Sequence, residues 1–483
     1  MLQFLRHSVV AKIAGLLLLM LLLCIPLARI HDLNRERGES QREAAEELAR
    51  TYTGAQTLIG PLLVVPYVER WSETRRNADG KPIGVASRSK TMTHIVFPET
   101  LNIEGTMKPQ ERYRGIFRIP FYALDARLSG GFGAFRPSDI ATSEIGATIE
   151  IKAPYITLQM SDLRGLDGSP ALTMAGVDLR FAQRSSSTAT GSSEGVHAAL
   201  AGEALAAWQA GKALPFSLHV GLVGQETLSM VPVAGNTTAL LRSTWAHPSF
   251  GGSFLASERS VTKEGFEARW RISSLVTSAQ DQVRAGLASD AGPAVDAARA
   301  AGAVTAMTAS SSRTSMVAGP LQTFDVSLAQ PLNVYAMSTR AGKYGVLFIG
   351  LVLMAAFMFE LFRQLRLHPV QYALVGLSIA LFFLLLLALS EKFAFWMAYA
   401  GAAAASVLLL SIYFSAVLGG WRRGLSFGAY VALLYGALYG LLASESNALL
   451  LGALLVFGML AMLMIATRKV DWYALSGGPA KAA

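Results

Sequence analysis

Six apolar stretches constrain this chain more than any other feature, covering residues 13–30, 344–362, 369–389, 393–418, 425–443 and 447–466. A helix needs about 20 mostly apolar residues to cross the hydrocarbon core of a bilayer. The spacing therefore predicts six transmembrane helices, with a long polar insertion between the first and the second. Charge follows the same division. Between positions 344 and 466 the Asp, Glu, Lys and Arg residues are Glu360, Arg363, Arg366, Glu391, Lys392, Arg422, Arg423 and Glu445. With 52% of residues hydrophobic and 16% charged, the chain is neither a purely soluble protein nor a disordered one. Its net charge of +9 is diffuse, which argues against nucleic acid as a partner. The single cysteine, Cys24, lies inside the first apolar run, so intrachain disulfides and thiol-pair metal sites are excluded.

Lys and Arg in short connections set orientation. With the N-terminus in the cytoplasm, the cytoplasmic segments hold Arg6, Lys12, Arg363, Arg366, Arg422, Arg423, Arg468, Lys469 and Lys481, and the opposite short loops hold Lys392. Residues 1–30 thus read as a cytoplasmic N-terminus with an uncleaved signal-anchor helix. Residues 31–343 read as periplasmic, 344–467 as a five-helix bundle, and 468–483 as a cytoplasmic tail.

Within the insertion, residues 31–59 read as an amphipathic stalk, with Ala44, Ala45, Leu48, Ala49 and Tyr52 at helical spacing. Beyond Gly60 the apolar period becomes two. Leu101 and Ile103, Ile149 and Ile151, Leu218, Val220 and Leu222, and Phe266, Ala268, Trp270 and Ile272 each alternate with polar neighbours. Alternation places each set on one face of a strand, which predicts a largely antiparallel β domain over 60–343. Two stretches, 183–212 and 278–319, are rich in Ala, Ser, Thr or Gly and read as flexible insertions. The fold class is a membrane protein of α+β type: six helices, with the β domain inserted between the first and second.

The sequence contains no G-x-S-x-G, H-E-x-x-H or P-loop pattern, and its seven histidines show no metal-ligand spacing. Ser87 and Lys90 form an S-x-x-K that fits either a nucleophilic dyad or a solvated hairpin end. Trp245, His247, Pro248 and Phe250, with Trp270, compose an aromatic stretch that fits either a binding cleft or a stapled turn. In the membrane half, His368, Gln371, Glu391 and Lys392 are polar candidates, because ionisable groups in bilayers are costly, although all four fit interfacial positions. Gly428, Ala432, Gly436 and Gly440 recur every four residues and predict a helix-packing face. Self-association along it is the alternative, and replacing Gly436 by Leu is expected to destabilise the bundle.

An ordered set of short motifs runs through the chain: Gly60-Pro61, Val65-Pro66-Tyr67, Ser161-Asp162, Arg164-Gly165, Trp245, His247-Pro248-Ser249-Phe250, Gly265-Phe266, Trp270, His368-Pro369, Gln371-Tyr372, Ser390-Glu391, Tyr435-Gly436 and Asp471-Trp472-Tyr473. With these the chain resembles the CreD family of bacterial inner-membrane, cell-envelope-integrity proteins. The resemblance implies a link to envelope stress, colicin tolerance and responses to cell-wall antibiotics, and it carries over no catalytic residue or cofactor. The chain departs from the family pattern at Pro331-Leu332-Asn333, where Pro-Val-Asp is expected. The expectation is a non-enzymatic protein without cofactors, whose partners are the lipid bilayer and an envelope protein or cell-wall component. A permease or lipid-linked transporter is the alternative, with His368 and Glu391 as its relay.

Overall fold

The computed structural model describes residues 9–76, 82–144, 146–183, 195–288, 320–328, 334–363, 367–417, 419–443 and 448–468. The chain divides into two compact units, one formed by Met1–Glu43 with Pro331–Ala483 and the other by Ala44–Gln330. The expected tail beyond Arg468, the Pro331-Leu332-Asn333 departure, and residues 184–194 and 289–319 of the two insertions lie outside the described residues.

Helix α1, Val9–Thr51, joins the expected first span and most of the expected stalk into one element, with Pro26 inside it. The stalk is therefore not separate, and strand begins at Gln56 rather than at Gly60. The last turns of α1 are amphipathic for a local reason: Ala44, Ala45, Leu48 and Tyr52 pack on Ile119, Phe121 and Val223. The Arg112 guanidinium lies 3.8 Å from the Tyr52 ring centre. The Arg164 guanidinium donates to the carbonyls of Ala49 and Arg50, filling acceptors that a helix C-terminus leaves orphaned.

Strands follow in the order β1 Gln56–Arg76, β2 Pro82–Val96, β3 Thr100–Arg114, β4 Phe117–Phe132, β5 Thr148–Ile151, β6 Tyr155–Met160, β7 Ala171–Met174, β8 Val177–Arg180, β9 Ala182–Gln183, β10 Gly195–Ala199, β11 Leu214–Gln225, β12 Thr227–Met230, β13 Asn236–Ser243, β14 Pro248–Gly252, β15 Glu258–Thr262, β16 Gly265–Ser273 and β17 Phe324–Leu328. One sheet runs β14-β17-β12-β1-β6-β10-β9, with β2 and β5 also on β1, and the other runs β15-β16-β13-β3-β4-β11-β7-β8. Pairing is antiparallel except for β1 with β12 and β3 with β13. Both sheets contribute to one core, which holds Ile59, Leu63, Ile156 and Phe324 from the first and Ile103, Leu128, Leu218 and Trp270 from the second.

The alternating runs are the strands they predict: Leu101 and Ile103, Leu218 and Val220, and Ala268 and Trp270 are all buried. Ile149 and Ile151 are only half buried, on short β5 beside β1. The two insertions begin or end as structure. Strand β10 and helix α2, Gly202–Gln209, lie in the first. Helix α3, Ala279–Ala288, opens the second and buries Ala279 and Val283 in the β core.

The other unit is helical: α4 Val334–Arg363, α5 Pro369–Ser390, α6 Phe395–Val417, α7 Trp421–Ala443 and α8 Ala448–Thr467. Four segments among the described residues are long and apolar enough to cross a membrane: Ala14–Thr51, Pro369–Ser390, Phe395–Val417 and Trp421–Leu442. A shorter apolar stretch, Tyr344–Glu360, lies within α4. Aromatic residues fill the unit's core, with Phe414 and Phe427 stacked at 3.9 Å between ring centres. Gly419, at φ 66°, makes the turn between α6 and α7, a conformation that L side chains avoid.

Candidate functional site

The aromatic stretch of the β unit is a stapled turn. The Trp245 indole N–H donates to the His247 carbonyl at 3.0 Å, and the Trp245 backbone N–H donates to Ser243 Oγ at 3.2 Å. The turn carries the chain from β13 in one sheet to Pro248, the first residue of β14 at the edge of the other. Phe250 meets Phe266 and Trp270 edge-on at 5.6 and 5.8 Å. Trp270 is fully buried and donates its indole N–H to the Phe254 carbonyl. His247 itself is exposed. These rings are thus used for packing, and what faces solvent is the turn around His247.

Ser87 and Lys90 do not form a dyad. Both lie on β2, opposite Ser72 and Glu69 of β1, and strand side chains three apart point to opposite faces. Lys90 faces a different arrangement. Glu69 is buried and accepts from the Ser143 hydroxyl at 2.5 Å and from the backbone N–H groups of Ser143 and Glu144 at 2.6 and 3.2 Å. The Ser143 hydroxyl bond, helped by those backbone donors and by Lys90, holds the Glu69 carboxyl below its ordinary range despite burial.

The polar residues nominated in the membrane half have structural roles. His368 caps α5: its Nδ1 accepts from the Val370 N–H at 3.3 Å, and the Gln371 side-chain oxygen accepts from the His368 N–H at 2.9 Å. This is a capping box with Pro369 at the first helical position. Glu391 caps the other end of the same helix and lies 3.6 Å from the Arg37 guanidinium, while Lys392 is exposed in the turn that follows. With α5 between them, His368 and Glu391 stand about 35 Å apart, so they cannot pass a proton to each other.

The small-residue face divides into two parts. A Cβ on Gly424 would lie 2.5 Å from the Ser411 carbonyl oxygen, and one on Gly428 would collide with the Ser411 side chain, so α6 and α7 touch there. Among the described residues nothing lies within 4 Å of that position on Gly436 or Gly440, which corrects the expectation that they hold a neighbouring helix close. Ala432 and Gly436 instead line an open groove of about 450 Å³ together with Trp396, Tyr399, Tyr435 and Tyr439. Beneath it, Tyr399 donates to the Tyr435 carbonyl at 2.7 Å, and the Tyr435 hydroxyl lies 2.9 Å from Ser406 Oγ.

The most distinctive site is one that sequence reasoning left unassembled. Glu360 near the end of α4 is only 4% exposed. Lys12 Nζ donates to its Oε1 at 2.5 Å, and the Tyr372 hydroxyl donates to its Oε2 at 2.5 Å. From there α1 follows α4 in antiparallel register. Met20 lies over Gly350, Leu27 over Gly345, and Asn34 Nδ2 donates to Thr339 Oγ1 at 2.5 Å. Leu23 fills the space a Cβ on Gly376 would take. The available signal was a lone carboxylate near the end of one apolar run and a lone lysine at the start of another.

Comparison with known proteins gives a consistent result along the chain. The sequence profile of a family described as "Inner membrane protein CreD" matches residues 8–473. The inner membrane protein CreD of Escherichia coli (strain K12) is 31% identical over 466 residues, covering 96% of this chain and 94% of that one. Among solved structures, the M1 zinc metallopeptidase from Deinococcus radiodurans aligns at 10% identity and a TM-score of 0.20, covering 36% of this chain and 38% of the peptidase. A mutant of that enzyme bound to a Tyr-ser-ala substrate aligns at 12% identity and a TM-score of 0.19, over 36% of this chain and 39% of the other. Scores this low carry no argument about fold or activity.

Proposed function

This chain belongs to the CreD family of inner membrane proteins, and from that premise we propose that it maintains the bacterial cell envelope without catalysing a reaction. Six helices span the inner membrane, both termini lie in the cytoplasm, and the β domain stands in the periplasm, where it contacts an envelope protein or cell-wall component. Envelope stress, colicin tolerance and cell-wall antibiotics are the settings in which it acts.

The observation that carries the reading is the placement of polar contacts along α1. Lys12 and Asn34 are separated by about 33 Å of helix, close to the thickness of about 30 Å of a bilayer's hydrocarbon core. The stretch between them is apolar from Ile13 to Ala28, and Arg29, His31 and Asp32 follow before Asn34. At one end Lys12 meets Glu360, and at the other Asn34 and Arg37 meet Thr339 and Glu391. Counting Lys and Arg in the short loops assigns the same ends to the same sides, an independent support. Transport through the bundle, the competing reading, loses its relay with the separation of His368 from Glu391.

Deleting the gene should change tolerance to colicins and cell-wall antibiotics. A full-length copy carrying Ser87→Ala and Lys90→Ala should restore it completely. Hydrolysis of peptidoglycan or a β-lactam by the purified protein would overturn the non-enzymatic reading.

A further inference from the structure

We propose that Glu360 and Tyr372 form a receptor for the Lys12 ammonium that latches the N-terminal helix into the bundle. Helix α1 is then held against α4 and α5 by polar contacts at its two ends more than by its apolar surface. Most of that surface faces away from the bundle. Leu17, Leu18, Leu21, Leu22 and Ile25 are each more than half exposed, and only 11% of the helix's most apolar window is buried. Lipid tails are as apolar as leucine, so within a bilayer such surface gives no net drive for helix association.

What remains is close packing and polar contact. The packing is narrow: Met20, Leu23 and Leu27 lie over Gly350, Gly376 and Gly345, with Leu16, Leu19 and Ile30 partly buried beside them. The polar contacts lie beyond it at both ends. Glu360 carries the larger share, because its carboxylate is buried and takes one donor on each oxygen. Without Lys12 the buried Glu360 carboxylate would keep only a phenol, and leaving a buried charge without its partner is costly. Because all these contacts share one register, sliding α1 by a turn breaks them together.

The test uses the full chain in native membranes, with Cys24→Ser and the cysteine pair Leu23→Cys with Gly376→Cys, followed by oxidation. The parental background should cross-link efficiently. Lys12→Glu should lower the yield at least about fivefold by setting two carboxylates together. The exchange of Lys12→Glu with Glu360→Lys should recover it. Lys12→Gln, a milder change at the half-exposed member of the pair, should give an intermediate yield and keeps the test decisive where charge reversal prevents accumulation. Undiminished cross-linking in both Lys12 variants, or no recovery in the exchange, would overturn the latch.

Discussion

The carbonyl oxygen of Ser411 lies 2.5 Å from where a Cβ on Gly424 would stand. That oxygen belongs to the backbone of α6 and cannot swing aside, so Gly424 is the point at which α7 approaches α6 most rigidly. Gly424→Ala should therefore destabilise the helical unit by about 1–3 kcal/mol, the usual cost of overpacking. Gly436→Ala, which meets nothing within 4 Å among the described residues, should be neutral or slightly stabilising, since alanine is favoured over glycine in a helix by about 1 kcal/mol. Thermal unfolding of the two variants in detergent checks the contrast, and equal effects would contradict the packing described.

Arg164 links a loop of the β unit to the end of α1. It holds Asp162, which is 7% exposed, through bonds of 2.9 and 2.6 Å, and also donates to the Ala49 carbonyl at 3.1 Å. Arg164→Ala leaves the buried carboxylate short of donors and should cost about 1–3 kcal/mol. Limited proteolysis should show faster cleavage near Thr51 while the helical unit keeps its resistance.

How far these arrangements were legible depended on whether one side chain's environment is set by its neighbours in sequence. The alternation at Leu101 and Ile103 and at Phe266 to Ile272 reads directly as strand because one face is buried and the other wet. Strand β1 hides its period, since Leu62, Leu63, Val64 and Val65 are all buried and a strand covered on both faces shows a continuous apolar run. Strand β10 was missed because it is short and directly follows a Ser/Thr-rich tract. The capping box of His368 and Gln371 was visible as a motif, but its polar residues looked like candidates for chemistry. The Lys12–Glu360 pair, 348 residues apart, could not be read at all, because nothing local to either residue specifies the other.

Glu69 makes stability of the β unit depend on acid. Its carboxyl is held below the ordinary range by the Ser143 hydroxyl and backbone donors. A group whose folded pKa is depressed contributes stability above its unfolded value, which is lost as pH falls through the folded one. Stability should therefore be full near neutrality and decline below about pH 4–5, where free glutamate begins to protonate. Glu69→Gln should flatten that decline and lower stability at pH 7, as read by thermal unfolding at stepped pH. An unchanged slope would contradict the role given to Ser143.

Trp270 and His247 separate packing from surface. Trp270→Ala empties a fully buried indole site and should cost about 3–5 kcal/mol. His247→Ala at the exposed turn should stay within about 0.5 kcal/mol of the parent, so any change it causes in antibiotic or colicin tolerance reports on contact rather than folding.

The most direct measurement labels a single cysteine at Ser249, in a Cys24→Ser background, with a membrane-impermeant maleimide applied to intact spheroplasts. A β domain outside the inner membrane predicts full labelling before lysis. Labelling that needs lysis would put the domain on the cytoplasmic side and contradict the account.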